Sequence, residues 1–394
     1  MATAADARPL TTRTAGRGRG AAHPRALLLV PAGLSLLAGL DGGLVRLGIA
    51  APIDSDRLAE AHGPAMVLGF LGTLIALERA VALGRAWGYA APALLGLGGV
   101  ALLAAPHPTG PLLLLDGAVA LVAVYAALWR RQRDEATATQ LLGAVLVACT
   151  ALLLLRLEVP ATTPLMVGFL VLTIAAERVE LARLAMPTAA GPVLLTLSCL
   201  LAATLLAAVV TPDGGLRAAG TVLLVLVAWL VRHDVARRLV HARGLPRFSA
   251  AALLAGYAWL ALAALVWLVG GAPGDWPAYD AALHAVFLGF AMSMVLAHAP
   301  VILPAVVRRP LPYRAWMWAP LVLLHAGLLV RVAGAALDDT AWREVGGVAG
   351  VAALLLLVAS SLAATLTAPT RTTPRTPGTP GTPAARTTLP RRPR

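Results

Sequence analysis

From residue 26 to residue 367 the chain is a nearly unbroken series of apolar runs, each long enough to cross a bilayer and separated from the next by a short connector. This feature decides the fold class, because about 20 apolar residues cover roughly 30 Å of hydrocarbon as a helix. The runs fall at 26–50, 63–83, 88–106, 111–129, 139–156, 163–183, 191–210, 216–232, 249–270, 281–304, 315–337 and 345–367. They predict an all-α, polytopic integral membrane bundle of about twelve transmembrane helices. With 59% hydrophobic and 13% charged residues, the chain lies outside the soluble globular range. The flanking segments differ in kind. Residues 1–25 form a basic tail, and residues 368–394 are rich in Pro, Thr and Arg, a composition expected to be disordered.

A net charge of +13 invites a nucleic-acid reading, but the arginines sit in connectors, where they set orientation by the positive-inside rule. The arginine-bearing connectors follow the even-numbered spans: Arg85, then Arg130, Arg131 and Arg133, then Arg178 and Arg183, then Arg237, Arg238, Arg243 and Arg247, then Arg308, Arg309 and Arg314. A multi-pass protein of the cell membrane with both termini cytoplasmic is expected, and no nucleic-acid partner. Cys149 and Cys199 lie in separate apolar spans and read as small buried hydrophobes. No Cys-x-x-Cys-His occurs, which excludes covalent haem attachment.

"GFLGTLIALERA" at 69–80 aligns without a gap to "GFLVLTIAAERV" at 168–179, and "GFAMSMVLAHAP" at 289–300 joins them by its Gly-Phe. The copies fall in spans two, six and ten, so the twelve helices are expected to form three pseudo-repeated four-helix units. In that register Glu78, Glu177 and His298 are equivalent, near the inner ends of their helices. Each Glu is followed by an arginine, which suits a snorkelling pair at the interface. The sharper reading makes Glu78 and Glu177 the start of a proton path, as ionisable groups inside membranes often are.

The histidines sort by depth. His62 and His284 lie near the outer starts of spans two and ten, which run the same way, so two imidazoles reach one leaflet. Neutral imidazole is a common axial ligand of haem iron, and facing helices of a bundle can hold a cofactor between them. Gly63, Gly69 and Gly289 would let a flat ring or a neighbouring helix come close. The competing reading is two unrelated interfacial histidines. His298, fourteen residues beyond His284 and so about 21 Å along the helix, belongs to another site. His325 lies mid-span in the eleventh run, either facing a cofactor cavity or bonding a neighbouring helix. Arg156 and Arg331, near the outer ends of spans five and eleven, are candidates to pair with haem propionates or to snorkel. His23, His107, His233 and His241 receive no role.

On these residues, with "HGPAM" opening span two and "YDAALHAVFLGFAMSM" opening span ten, the chain resembles subunit I of the haem-copper oxidases, and more closely their NnrS-like relatives, haem- and copper-containing membrane proteins linked to the nitric oxide response. The resemblance covers most of residues 26–367. It implies a haem b held non-covalently by His62 on span two and His284 on span ten. The oxidases also carry histidines for copper on spans six and seven and a second histidine on span ten for the active-site haem; spans six and seven here have none, and no histidine stands two residues before His284. Oxygen reduction of the oxidase type is therefore not expected. If copper binds, His298 and His325 are its candidates.

The leading expectation is a haem-binding membrane protein in electron transfer or in response to a diatomic gas such as nitric oxide, with oxidoreductase activity left open. The rival is a proton-coupled secondary transporter using Glu78, Glu177 and His298. Against it, the repeats recur every four spans instead of every three or six. A third reading, a structural partner in a larger complex, gives the histidines no role.

Overall fold

Each apolar run is helical, as it must be where lipid offers the backbone no hydrogen bonds. The computed structural model describes residues 24–307 and 311–367. Most of the two tails read above, together with Arg308 and Arg309, lies outside the described residues. The twelve helices are α1 (Arg25–Arg46), α2 (Asp56–Leu83), α3 (Ala86–Ala104), α4 (Thr109–Gln132), α5 (Glu135–Leu153), α6 (Val159–Leu181), α7 (Ala190–Val210), α8 (Pro212–His233), α9 (Leu245–Gly270), α10 (Trp276–Val301), α11 (Ala315–Ala336) and α12 (Thr340–Leu366). Among the described residues there is no strand.

Two helices begin earlier than hydropathy suggests. Their first turns, "DRLAEA" in α2 and "WPAYD" in α10, are too polar to join an apolar run but still helical. Asp275 starts α10 as a cap, its carboxylate accepting from the Ala278 amide at 2.8 Å. His62 and His284 therefore sit six and eight residues inside their helices, about 9 and 12 Å along the axis.

Helices α2, α6 and α10 occupy the centre and touch one another. They are the most buried, at 61%, 83% and 72% of their apolar cores against 33–56% for the others. The outer helices expose Val210, Leu329, Val345 and Leu362, as surfaces in contact with lipid chains should. Cys149 is half-buried and Cys199 is exposed on α7, so the expectation of two buried cysteines does not hold for Cys199. Both thiols are free.

α2 and α10 share a local departure from α-helical winding. Ala65–Gly72 and Ala285–Met292 are π-helical, each beginning four residues before the Gly-Phe pair. A π turn leaves a carbonyl without its usual amide partner. In both helices a hydroxyl one turn later accommodates the distortion: Thr73 Oγ1 donates to Gly69 O at 2.7 Å, and Ser293 Oγ to Gly289 O at 2.5 Å. The glycines serve helix packing. A Cβ on Gly69 would lie 2.9 Å from Gly99 Cα on α3, and one on Gly289 2.4 Å from Trp259 Cγ on α9.

Candidate functional site

Near the N-terminal ends of the even-numbered helices, a cavity opens among α1, α2, α6, α10, α11 and α12, with about 1250 Å³ free of protein atoms, counting its open mouth. Its walls are largely apolar, with Met66, Met166, Phe287 and Met292 among them, while Arg46, Glu60 and Trp276 stand at the mouth. Only a few polar groups face inwards, the usual character of a ligand or cofactor pocket. Chief among them are His62 and His284.

The two imidazoles face each other with ring centroids 6.2 Å apart and planes inclined by 20°. His62 Nδ1 lies 2.6 Å from the Gly39 carbonyl oxygen of α1. His284 Nδ1 lies 2.9 Å from the Asp280 carbonyl oxygen and 3.1 Å from Asp280 Oδ1. Carbonyl oxygens only accept, so in each ring Nδ1 carries the proton and Nε2 keeps its lone pair. Among the described residues neither Nε2 has a hydrogen-bond partner. Gly43 makes room for the His62 ring, since a Cβ there would meet ring Cε1 at 3.0 Å.

Two arginines border the same cavity. Arg331 is buried and holds Asp280 by two bonds, Nε to Oδ2 at 2.8 Å and Nη2 to Oδ1 at 2.7 Å. Arg46 was not singled out by the sequence. At the end of α1 it donates to the Ala59 carbonyl at 3.3 Å and lies over the Trp276 ring at 4.4 Å. Arg156 is exposed in the connector after α5 and does not line the cavity.

His298 and His325 belong to separate networks. Trp259 Nε1 donates to His325 Nδ1 at 2.9 Å, and His325 Nε2 lies 3.4 Å from Ser293 Oγ, so both ring nitrogens engage neighbouring helices. This is the interhelical bonding that the sequence left as one alternative. His298 sits near the other ends of the helices, its Nε2 3.3 Å from Arg178 Nη1. Among the described residues no three His, Cys, Asp or Glu side chains gather as a metal site.

Arg178 is bound at two points by Asp234, Nε to Oδ2 and Nη2 to Oδ1, each at 2.8 Å. Asp234 also accepts from the Tyr257 hydroxyl at 2.7 Å and the Ala236 amide at 2.9 Å. Burial works against charge on this carboxylate. The bonds and charge of Arg178, with the Tyr257 and Ala236 donors, outweigh burial and hold its pKa below the usual carboxylate range. Beside this network Arg79 pairs with Glu78 and lies 3.8 Å from both Glu177 and Glu180. Glu78 and Glu177, read separately in the sequence, thus meet around one guanidinium.

A family model described as a domain of unknown function (DUF8744) matches residues 25–366, and the chain belongs to that family. No curated protein and no solved structure matches the chain.

Proposed function

We propose that this member of the family is a multi-pass membrane protein that binds one haem b between His62 and His284 and serves electron transfer. The observation that carries the reading is the paired imidazoles. Two rings on opposite sides of one metal, at about 2.0–2.1 Å per nitrogen, have centroids roughly 6 Å apart, and here the separation is 6.2 Å. Both Nδ1 atoms are committed to oxygen acceptors, which leaves both Nε2 lone pairs for iron. Two protein ligands suffice for haem, whose macrocycle supplies the other four, whereas a structural zinc site would need more.

Bound there, haem supplies a one-electron ferric–ferrous couple. The protein's part would be to hold the two imidazoles in one tautomer, exclude water with Met and Phe side chains, and offer Arg46 to the anionic propionates, Arg331 being taken up by Asp280. A haem held by both His62 and His284 would leave no ligand site free for nitric oxide or another diatomic gas, which favours electron transfer. Copper has less support, because His298 and His325 are already engaged by different partners. The central position of α2, α6 and α10 supports the oxidase-like arrangement of four-helix repeats, and the connector arginines support cytoplasmic termini in the cell membrane.

A second reading, a proton-coupled transporter, draws on the carboxylates gathered around Arg79. The reduced-minus-oxidised absorption spectrum of the detergent-purified chain separates the two. The haem reading expects a b-type spectrum with about one haem per chain, lost in His62→Ala and His284→Ala and kept in His325→Ala. A flat spectrum after expression with ample haem would reject it and leave a colourless protein sensitive to Glu78 and Glu177.

A further inference from the structure

The two imidazoles are held differently. His62 Nδ1 donates to a neutral backbone carbonyl, that of Gly39. His284 has an equivalent carbonyl in Asp280, one helical turn earlier, but also has the Asp280 carboxylate 3.1 Å from the same nitrogen. The carbonyl alone would orient the ring, as it does for His62, so orientation does not explain the carboxylate. Nor is the carboxylate there by accident of exposure: Asp280 is 4% exposed. A dedicated cation, Arg331 from α11, grips it at two points. Helix α12 packs closely against α11 here: a Cβ on Gly346 would come 2.4 Å from the Arg331 backbone nitrogen, and one on Gly347 2.2 Å from Leu47 Cδ1 and 3.2 Å from Arg331 Nη1.

On the haem reading above, we infer that Asp280 and Arg331 are a tuning pair that makes His284 the stronger electron donor of the two axial ligands and holds the midpoint potential of the site low. The physical basis is the outer-shell effect on metal-bound histidine, in which a carboxylate accepting the distal N–H raises the basicity of the ligating nitrogen. A more basic imidazole stabilises ferric iron over ferrous. Arg331 lets the carboxylate remain charged in a buried place, since an unpaired anion there would be expelled or neutralised. Because Oδ1 is shared between the guanidinium and the imidazole, Arg331 also limits how far the His284 proton is drawn away. Asp280 and Arg331 are positioning residues, acting on the iron through His284.

The test is a spectroelectrochemical titration of the full-length protein in detergent, with electron paramagnetic resonance of the ferric form. The variants are Asp280→Asn and the double variant Asp280→Asn/Arg331→Gln. The double variant replaces the ion pair with neutral side chains of similar shape, so it avoids stranding a buried arginine and remains informative if the single variant fails to fold. Both variants should keep the b-type spectrum at saturating haem, with affinity reduced by about 10–100-fold as outer-shell changes typically do. Their midpoint potential should rise, and their ferric g-values should move to those of neutral bis-imidazole haem. Asp280→Glu should return the potential towards that of the wild type. Unchanged potential and g-values in variants that retain haem would overturn the inference. So would loss of haem from both variants, which would make the pair a structural support. A wild-type protein without haem would instead reject the haem reading itself.

Discussion

Alanine at Gly43 tests how the His62 ring is held. A Cβ at that position would lie 3.0 Å from ring Cε1 and 3.3 Å from Nδ1. Packed carbon atoms settle at about 3.5–4.0 Å, so the ring must give by a few tenths of an ångström. It has little freedom to do so, because Nδ1 is tied to Gly39 O at 2.6 Å and the His284 ring lies 6.2 Å away, centroid to centroid. Disturbing an outer-shell bond of a metal-bound histidine typically costs 10–100-fold in affinity, which is about 1.4–2.7 kcal/mol. The same substitution favours the helix itself by up to about 1 kcal/mol. Gly43→Ala should therefore weaken haem retention, while in the haem-free protein the helix gain offsets the ring's displacement and stability changes little. Gly33→Ala on the same helix is the control, since its Cβ would meet nothing within 4 Å, and it should bring the helix gain alone. The assays are haem per chain after purification, the rate of haem loss to an excess scavenger protein, and thermal unfolding of the apo forms. If Gly43→Ala keeps its haem as well as Gly33→Ala does, the His62 ring is not clamped against α1 and the argument fails.

Asp234→Ala strands the buried Arg178 and should lower stability by about 3–5 kcal/mol, read as a thermal shift in detergent. The pair Asp234→Leu/Arg178→Met should recover most of that loss, and a single-variant loss below about 1 kcal/mol would contradict the pairing. Because the folded pKa of Asp234 is depressed, its stabilisation is fully present above about pH 4 and disappears as acid protonates the folded carboxylate. Melting curves taken at descending pH should show this acid-side loss in the wild type and a smaller one in Asp234→Asn. Gly99→Val would push a side chain to within 2.5 Å of Gly69 Cα and Ser35 Oγ, separating α1, α2 and α3. Overpacking of this kind costs about 1–3 kcal/mol or more, and an unchanged melting temperature would refute that close crossing.

The sequence was most legible where physics is local. Twelve helices follow from the length of each apolar run, but the polar first turns of α2 and α10 lie outside those runs, so His62 and His284 sit further inside their helices than counting along the apolar residues gives. Asp280 was readable too, as the residue one turn before His284, yet its meaning depends on Arg331, 51 residues away. Asp234 carried no signal in the sequence because its partner, Arg178, is 56 residues distant. Arg46 was not singled out, and Arg156, chosen by the same depth rule as Arg331, is exposed and does not line the cavity. The glycines show the same division. Gly69 and Gly289 were expected to admit either a flat ring or a helix, and both admit neighbouring helices, while Gly43 is the one that makes room for His62.

What the chain determined by itself was twelve helices long and apolar enough to cross a membrane, and the place of each ionisable group along its helix. Both depend on hydropathy summed along one helix, which lipid reads one segment at a time. Only the tertiary structure decided which groups meet. A helix that is apolar nearly all round carries little signal for its rotation about its own axis, and that rotation is settled by close glycine crossings, π turns and paired charges contributed by other helices. The facing imidazoles, the Asp280–Arg331 pair and the carboxylates around Arg79 all depend on it.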